Sequence, residues 1–195
     1  MYDRLFEYIE QYSRINLSDK EKDILAEAWQ PQAIRRKEFF LREGEVCHFA
    51  AFIVTGAMRQ YTVDDNGMEH ISQLAIEGWW IVDRDSYLNK KPSTSYIDAW
   101  ENTELLVLKR SHLDTILDLP AIKEMFWVMN QKNHIAAQQR LTDIIALPAA
   151  KRYENLLKKY PAIIERFPQH IIASYLGITK ETLSRVRSQM AKKKN

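Results

Sequence analysis

The hydrophobic rhythm of the chain changes twice along its length. Up to about residue 30, apolar side chains recur at helical spacing, with Leu5, Tyr8, Ile9 and Tyr12 on one face. Ser18-Asp19-Lys20-Glu21 reads as a helix start with Ile24, Leu25 and Ala28 behind it, and Pro31 is expected to end this part. From about Ala33 to Leu108 the texture becomes short β-rich runs separated by turn residues. Lys37–Leu41, Phe49–Thr55, Met58–Val63, His70–Ile76, Tyr96–Trp100 and Leu105–Leu108 are the candidate strands. Gly44, Gly56, Gly67 and Gly78 fall between these runs, and Asp65-Asn66-Gly67 is the strongest hairpin signal in the chain. Many short strands at regular spacing predict a β-sandwich or jelly roll.

Helical spacing then returns. Leu113 to Leu147 is predicted as one long helical stretch with Pro120 near its start, carrying an apolar stripe of Ile122, Met125, Phe126, Met129, Ala136, Leu141 and Ile144. Trp127 and Val128 lie on another face, so the first turns are apolar nearly all round and need partners on two sides. One partner is the β-rich part. The other is a second copy of the same helix or another part of the same chain. Pro148 marks a hinge. Tyr153, Leu156, Leu157 and Tyr160 form an amphipathic helix before Pro161, and Pro168 precedes the last two helices.

Those last two helices carry the most informative spacing. Within Gln169–Val186, Ala173 sits where two helices must approach closely, and Gly177 stands four residues on, where a helix end wants a left-handed backbone. Ile172, Leu176, Ile178, Leu183 and Val186 supply a small shared core, and Thr179 is a suitable N-cap for the second helix. This is the pattern of a helix-turn-helix, which in a basic setting predicts DNA binding. Glu181 and Arg185 share one face of the second helix and Lys180 begins the same surface, at the end that reaches base edges. Arg185 suits a bidentate contact to guanine and Glu181 can accept from cytosine. A surface Glu181–Arg185 ion pair is the plainer use of the same spacing. Thr179, Ser184, Arg187 and the terminal lysines are candidates for phosphate contacts, which position without specifying.

Charge supports that placement. From residue 149 to 195 there are eleven Lys/Arg against three Glu, a local balance of +8, which leaves −6 on the rest of a chain whose net charge is +2. A basic segment on an acidic body is the footprint of a nucleic-acid-binding part. Otherwise the composition is that of an ordinary soluble protein, with 46% hydrophobic and 28% charged residues. The first dozen residues lack the basic start and apolar middle of a signal peptide, which predicts a cytoplasmic location. Cys47 is the single cysteine and reads as a small buried hydrophobe. His48, His70, His112, His134 and His170 are scattered, and none has a metal-ligand partner at motif spacing. No metal site and no enzymatic activity are expected. Trp79, Trp80 and Trp100 either pack the core of the β-rich part or line an apolar pocket for an uncharged effector.

The order β-roll, long helix, helix-turn-helix resembles the Crp/Fnr superfamily, the cyclic-AMP receptor protein and its relatives. Thr179-Lys-Glu-Thr-Leu-Ser-Arg185 is similar to that family's recognition helix. Phe40-Leu-Arg-Glu-Gly-Glu45 and Phe52-Ile-Val-Thr-Gly-Ala57 are similar to two turns of its nucleotide-binding roll. The resemblance implies an α+β fold: an effector roll with N-terminal helices at 1–110, a dimerisation helix at 111–147 and a DNA-binding domain at 148–195. It implies dimerisation through Ile122, Phe126, Met129, Ala136 and Ile144. Double-stranded DNA and a second copy are the implied partners, with RNA polymerase as one further candidate. In the family's phosphate-binding cassette a Glu holds the ribose and an Arg neutralises the cyclic phosphate. Here the matching stretch offers Asp83 and then Ser93-Thr94, with Ala137 and Gln138 where the long helix would close the pocket. Asp83 can imitate the Glu, but no Arg stands at the second position. A buried phosphate without a cation is costly, so cyclic AMP is not the expected ligand. The cysteine cluster of oxygen-sensing relatives is absent. The family's usual winged hairpin is missing behind the recognition helix, and the basic tail is expected to take over some of its contacts. A roll that senses a ligand or protein without binding DNA is the alternative function.

Overall fold

A computed structural model describes residues 1–194 and shows two four-stranded antiparallel sheets enclosed by helices. Helix α1 (Tyr2–Ser13) buries Leu5 and Ile9 and ends at Arg14 in a left-handed conformation. Ser18 and Glu21 form a reciprocal capping box that starts α2 (Asp19–Ala28), where the Ser/Glu spacing predicted a start. The strands are β1 (Trp29–Ile34), β2 (Phe39–Leu41), β3 (Phe49–Thr55), β4 (Met58–Val63), β5 (Glu69–Ala75), β6 (Trp80–Ile81), β7 (Tyr96–Ala99) and β8 (Thr103–Lys109). One sheet runs β1-β8-β3-β6 and the other β2-β7-β4-β5.

Two departures from the sequence expectation lie here. Pro31 does not end the helical part at a loop but sits inside β1, opposite Leu106. This is permitted because β1 is an edge strand, where a missing N–H costs no ladder bond on the open side. Between β6 and β7, a short helix α3 (Arg84–Asn89) interrupts the strands, started by the carboxylate of Asp83 on the Ser86 amide.

The expected single helix from Leu113 to Leu147 is two helices, α4 (Arg110–Ile116) and α5 (Pro120–Ala146). Pro120 has no N–H to continue a helix, so it begins a new one instead. Ala121, Ile122 and Met125 at the start of α5 are buried in the core of the roll, with residues from α1, α2 and both sheets. Behind them the helix runs on almost uncovered. Then come α6 (Ala149–Lys159), α7 (Pro161–Arg166), α8 (Gln169–Tyr175) and α9 (Lys180–Lys194). No described helix is long and apolar enough to cross a membrane.

The C-terminal helices do not form a separate core. Tyr153, Leu156, Ile163, Phe167, Ile171 and Leu183 cluster with Ala57, Tyr61, Ile71 and Leu74 from the outer face of the second sheet. β4 thus serves two cores: Met58 faces the roll interior, while Tyr61, and Ala57 just before the strand, face the C-terminal helices.

Candidate nucleic-acid interface and effector roll

The geometry of α9 is set by its cap and the turn before it. Gly177 takes the left-handed backbone (φ +65°) that ends α8, as its spacing predicted. Thr179 Oγ1 then accepts from the Thr182 amide at 3.2 Å. Leu183 and Val186 are buried against Ile172 and Ala173, which locks α9 to α8. The opposite face is left to solvent: Thr179, Lys180, Glu181, Ser184, Arg185 and Arg187 are all exposed. Four residues separate Glu181 from Arg185, so both project from one side of the helix, one turn apart. Among the described residues there is no Glu181–Arg185 ion pair. Arg185 reaches instead to the hydroxyl of Thr182 at 3.3 Å, a nearer partner one turn back. The side chains of Lys193 and Lys194, together with Asn195, lie outside the described residues, and with them most of the basic tail expected to contact the DNA backbone.

In the roll, two of the five predicted effector residues meet. Ser93, which is buried, donates its hydroxyl to Asp83 Oδ2 at 2.6 Å, while Asp83 Oδ1 caps α3 through the Ser86 amide at 3.2 Å. Both oxygens of the carboxylate are therefore engaged within the protein. Ser93 Oγ also accepts from the Ser95 amide at 2.9 Å, and Ser86 Oγ donates to the Lys91 carbonyl at 2.6 Å. Thr94 points outward, and Ala137 and Gln138 are exposed on α5. The structure does not gather these three with Asp83: on α5 it is Ala121, Ile122 and Met125 of the first turns that enter the roll's core, well before Ala137 and Gln138. Among the described residues, the only buried charged side chains are Arg59 and Asp98, on the outer face of the second sheet, so no buried cation serves the cassette.

The tryptophans divide. Trp80 packs inside the roll, with ring centroids 4.9 Å from Trp29, 5.1 Å from Phe52 and 6.4 Å from Phe126. Trp79 meets Tyr160 edge-on at 5.0 Å, and Trp100 lies 5.9 Å from Phe167. Trp79 thus packs against the roll's core and also meets the C-terminal helices, while Trp100 packs on the roll's outer face against them. Cys47 is buried, and burial pushes its thiol up, as fits a packing role.

Sequence reading missed the polar side of that contact. Arg59 forks onto Asp98, with Nε to Oδ1 and Nη2 to Oδ2 both at 2.9 Å, and also pairs with Glu69. Its guanidinium lies 4.3 Å over the Tyr61 ring and 5.4 Å from that of Trp100. Burial and the Asp98 charge push the Tyr61 phenol up to about 12. An Arg and an Asp in the sequence 39 residues apart carry no local signal of pairing; only the β4–β7 register brings them together.

The predicted dimer residues also need correction. Ile122 is fully buried in the core of its own chain, and Phe126 packs against Trp80, so neither offers its side chain to a second copy. The cause is that α5 starts by closing the roll. Met129 and Ala136 are half-buried and Ile144 is exposed. The large apolar side chains left open on α5 are Trp127 (60% exposed), Ile135 (63%), Leu141 (60%), Ile144 (38%) and Ile145 (77%).

Comparison with known proteins places the roll. Residues 31–119 match the cyclic nucleotide-binding domain family. The transcriptional regulatory protein Btr of Bordetella pertussis is 25% identical over 149 residues, and the match covers 70% of this chain but only 61% of that protein. The fold is similar to that of FixK2 from Bradyrhizobium japonicum (TM-score 0.71, 21% identity, 85% of each chain). It is also similar to the c-di-GMP-responsive regulator CLP of Xanthomonas campestris (TM-score 0.71, 13% identity, 90% of this chain and 93% of that one). The catabolite activator protein of Thermus thermophilus aligns over 93% of this chain and 87% of its own, at TM-score 0.56 and 18% identity. Residues 31–119 thus match a cyclic nucleotide-binding domain, and the chain as a whole, with its roll, long helix and C-terminal helices in that order, has the fold of these solved structures.

Proposed function

We propose that this chain is a transcription regulator that binds duplex DNA as a dimer and reads a two-fold symmetric site with α9. The observation that carries the reading is the exposed set Lys180, Glu181 and Arg185 on a helix whose other face is locked by Leu183 and Val186. An acid in that set serves no phosphate contact, but it does serve base readout, where a carboxylate accepts from cytosine. The second copy docks along α5 through Trp127, Ile135, Leu141 and Ile145, the apolar surface that the chain itself leaves open. On this reading the roll, at 1–110, is the sensing part, the long helix at 111–147 joins the copies, and 148–195 binds DNA. Cyclic AMP is not the effector on this reading, because Asp83 is already engaged on both oxygens and, among the described residues, no buried cation stands by it.

Selection of bound duplexes from a random pool tests this. The expected product is an inverted repeat with half-sites about 34–36 Å apart centre to centre, one helical turn. Arg185→Ala is expected to lose about 1–3 kcal/mol of base discrimination per half-site with the fold intact. Recovery of no sequence preference by the wild-type protein would remove the DNA-reading role.

A further inference from the structure

The C-terminal helices α6 to α9, which end in the helix-turn-helix, are joined to α5 by a short connection at Leu147-Pro148. A short hinge of extended backbone does not by itself fix the direction of the helices behind it. The direction is fixed instead at the far end of α7. Arg166 ends that helix, and its guanidinium is clamped by two carboxylates of the roll. Nε and Nη2 donate to Glu101 Oε1 and Oε2 at 3.0 and 2.5 Å, and Nη1 and Nη2 donate to the two oxygens of Glu77. The Arg166 carbonyl accepts from Trp100 Nε1 at 3.2 Å. Glu77 is itself held by the Gly56 amide at 2.7 Å. Three turns of the roll, after β3, β5 and β7, thus converge on one arginine.

Two further contacts hold the same body. Ser174 of α8 accepts from the Ile71 amide and donates to the Glu69 carbonyl, both at 2.9 Å, on the open edge of β5. Arg140 of α5 donates to the carbonyls of Ile71 and Ser72 at 3.2 and 2.5 Å and lies 4.2 Å over the ring of Tyr175. Because α8 and α9 share a buried core, fixing α8 fixes the recognition helix.

We infer that Arg166 is a positioning residue that pins the helix-turn-helix to the roll and so sets the half-site spacing at which a dimer reads DNA. This rests on the DNA-reading function proposed above. The two recognition helices of a dimer are separated by a lever running from α5, through the roll, to α9. A rigid lever selects one spacing. A hinge free at Leu147-Pro148 tolerates several. Arginine suits the pin because its planar fork engages two carboxylates at once, which the point charge of a lysine cannot do.

The test uses full-length protein and duplexes carrying the selected half-sites at the preferred spacing and at one base pair more or less. Wild type is expected to prefer one spacing. Arg166→Gln is expected to lose at least about tenfold of that preference, while binding to a single half-site stays unchanged. The double variant Glu77→Gln/Glu101→Gln, which keeps size and polarity on the roll side, is expected to do the same and covers the case in which Arg166→Gln fails to fold. Arg166→Lys is expected to restore the preference only in part. A folded Arg166→Gln or Glu77→Gln/Glu101→Gln protein with the wild-type spacing preference overturns the pin alone. A wild-type protein with no sequence preference overturns the DNA-reading function, and the pin with it.

Discussion

Arg152 of α6 donates from Nη1 to the carbonyl of Leu176 at 2.7 Å, closing the end of α8 just before the chain turns at Gly177. The last carbonyls of a helix have no intrahelical partner, and a cation there also meets the negative end of the helix dipole. The arginine therefore ties the first helix of the C-terminal part to the turn that launches the recognition helix. Arg152→Gln is expected to lower stability by about 1.5–3 kcal/mol, the range for a hydrogen bond to a charged group. Thermal unfolding checks this, and loss of a single operator-binding geometry without loss of stability would contradict it.

Asp83 and Ser93, the residues that the sequence resemblance assigns to an effector pocket, are bonded to each other. Asp83→Asn is expected to weaken the start of α3 and cost about 0.5–2 kcal/mol, the range for an N-cap. Cyclic AMP added at millimolar concentration is expected to leave the melting temperature of the wild-type protein unchanged. A stabilisation of several degrees would mean that the Asp83–Ser93 pair opens to admit it.

Two kinds of substitution on α5 should separate. Ile122→Ala removes a fully buried side chain and is expected to cost about 2–5 kcal/mol of folding stability. Trp127→Glu and Ile145→Glu alter side chains that are 60% and 77% exposed, and are expected to spare folding and convert the proposed dimer to a monomer. Sedimentation velocity combined with thermal unfolding distinguishes the outcomes. A dimer that survives both surface substitutions would place the two-fold elsewhere.

The Arg166 clasp carries a pH dependence of defined sign. Burial pushes the Glu77 carboxyl up, but the hydrogen bonds from Arg166 and from backbone amides outweigh it and hold Glu77 below its ordinary 4.5. A group lowered in the folded state contributes stability that is fully present above 4.5 and is lost as pH falls through its folded value. The clasp is expected to hold from about pH 8 to about pH 5 and to loosen only below that. The NMR resonance of the Trp100 indole N–H, which is bonded to the Arg166 carbonyl, reports it. Movement centred well above about pH 5 would contradict a clasp set by Glu77.

Local chemistry was legible in the sequence. The capping pair Ser18/Glu21, the hairpin at Asp65-Asn66-Gly67, and the left-handed Gly177 followed by the Thr179 cap each depend on residues within a few positions of one another. The structure forms all of them. What stayed hidden depends on topology. Pro31 reads as a breaker until β1 is known to be an edge. Trp100 looks like an interior residue of the roll until its outer face is seen to be covered. Arg59, Glu77, Glu101, Arg166 and Ser174 are ordinary polar residues in sequence, and meet only across 10 to 105 positions of chain. Similarly, Ile122 and Trp127 are both apolar residues of one helix. Only the packing of α1 and the sheets against its first turns makes one core and the other surface.

The hydroxyl of Ser174 on β5 has a consequence for solubility. An uncovered border strand presents unpaired amides and carbonyls to any other chain willing to zip onto them. Here the C-terminal module and α5 shield that border together, with Ser174 of α8 on one stretch and Arg140 of α5 on the next. A rearrangement that swung the module away to meet a different DNA geometry would also unveil a sticky seam. Variants that loosen the docking are thus expected to aggregate on warming, before their sheets unfold.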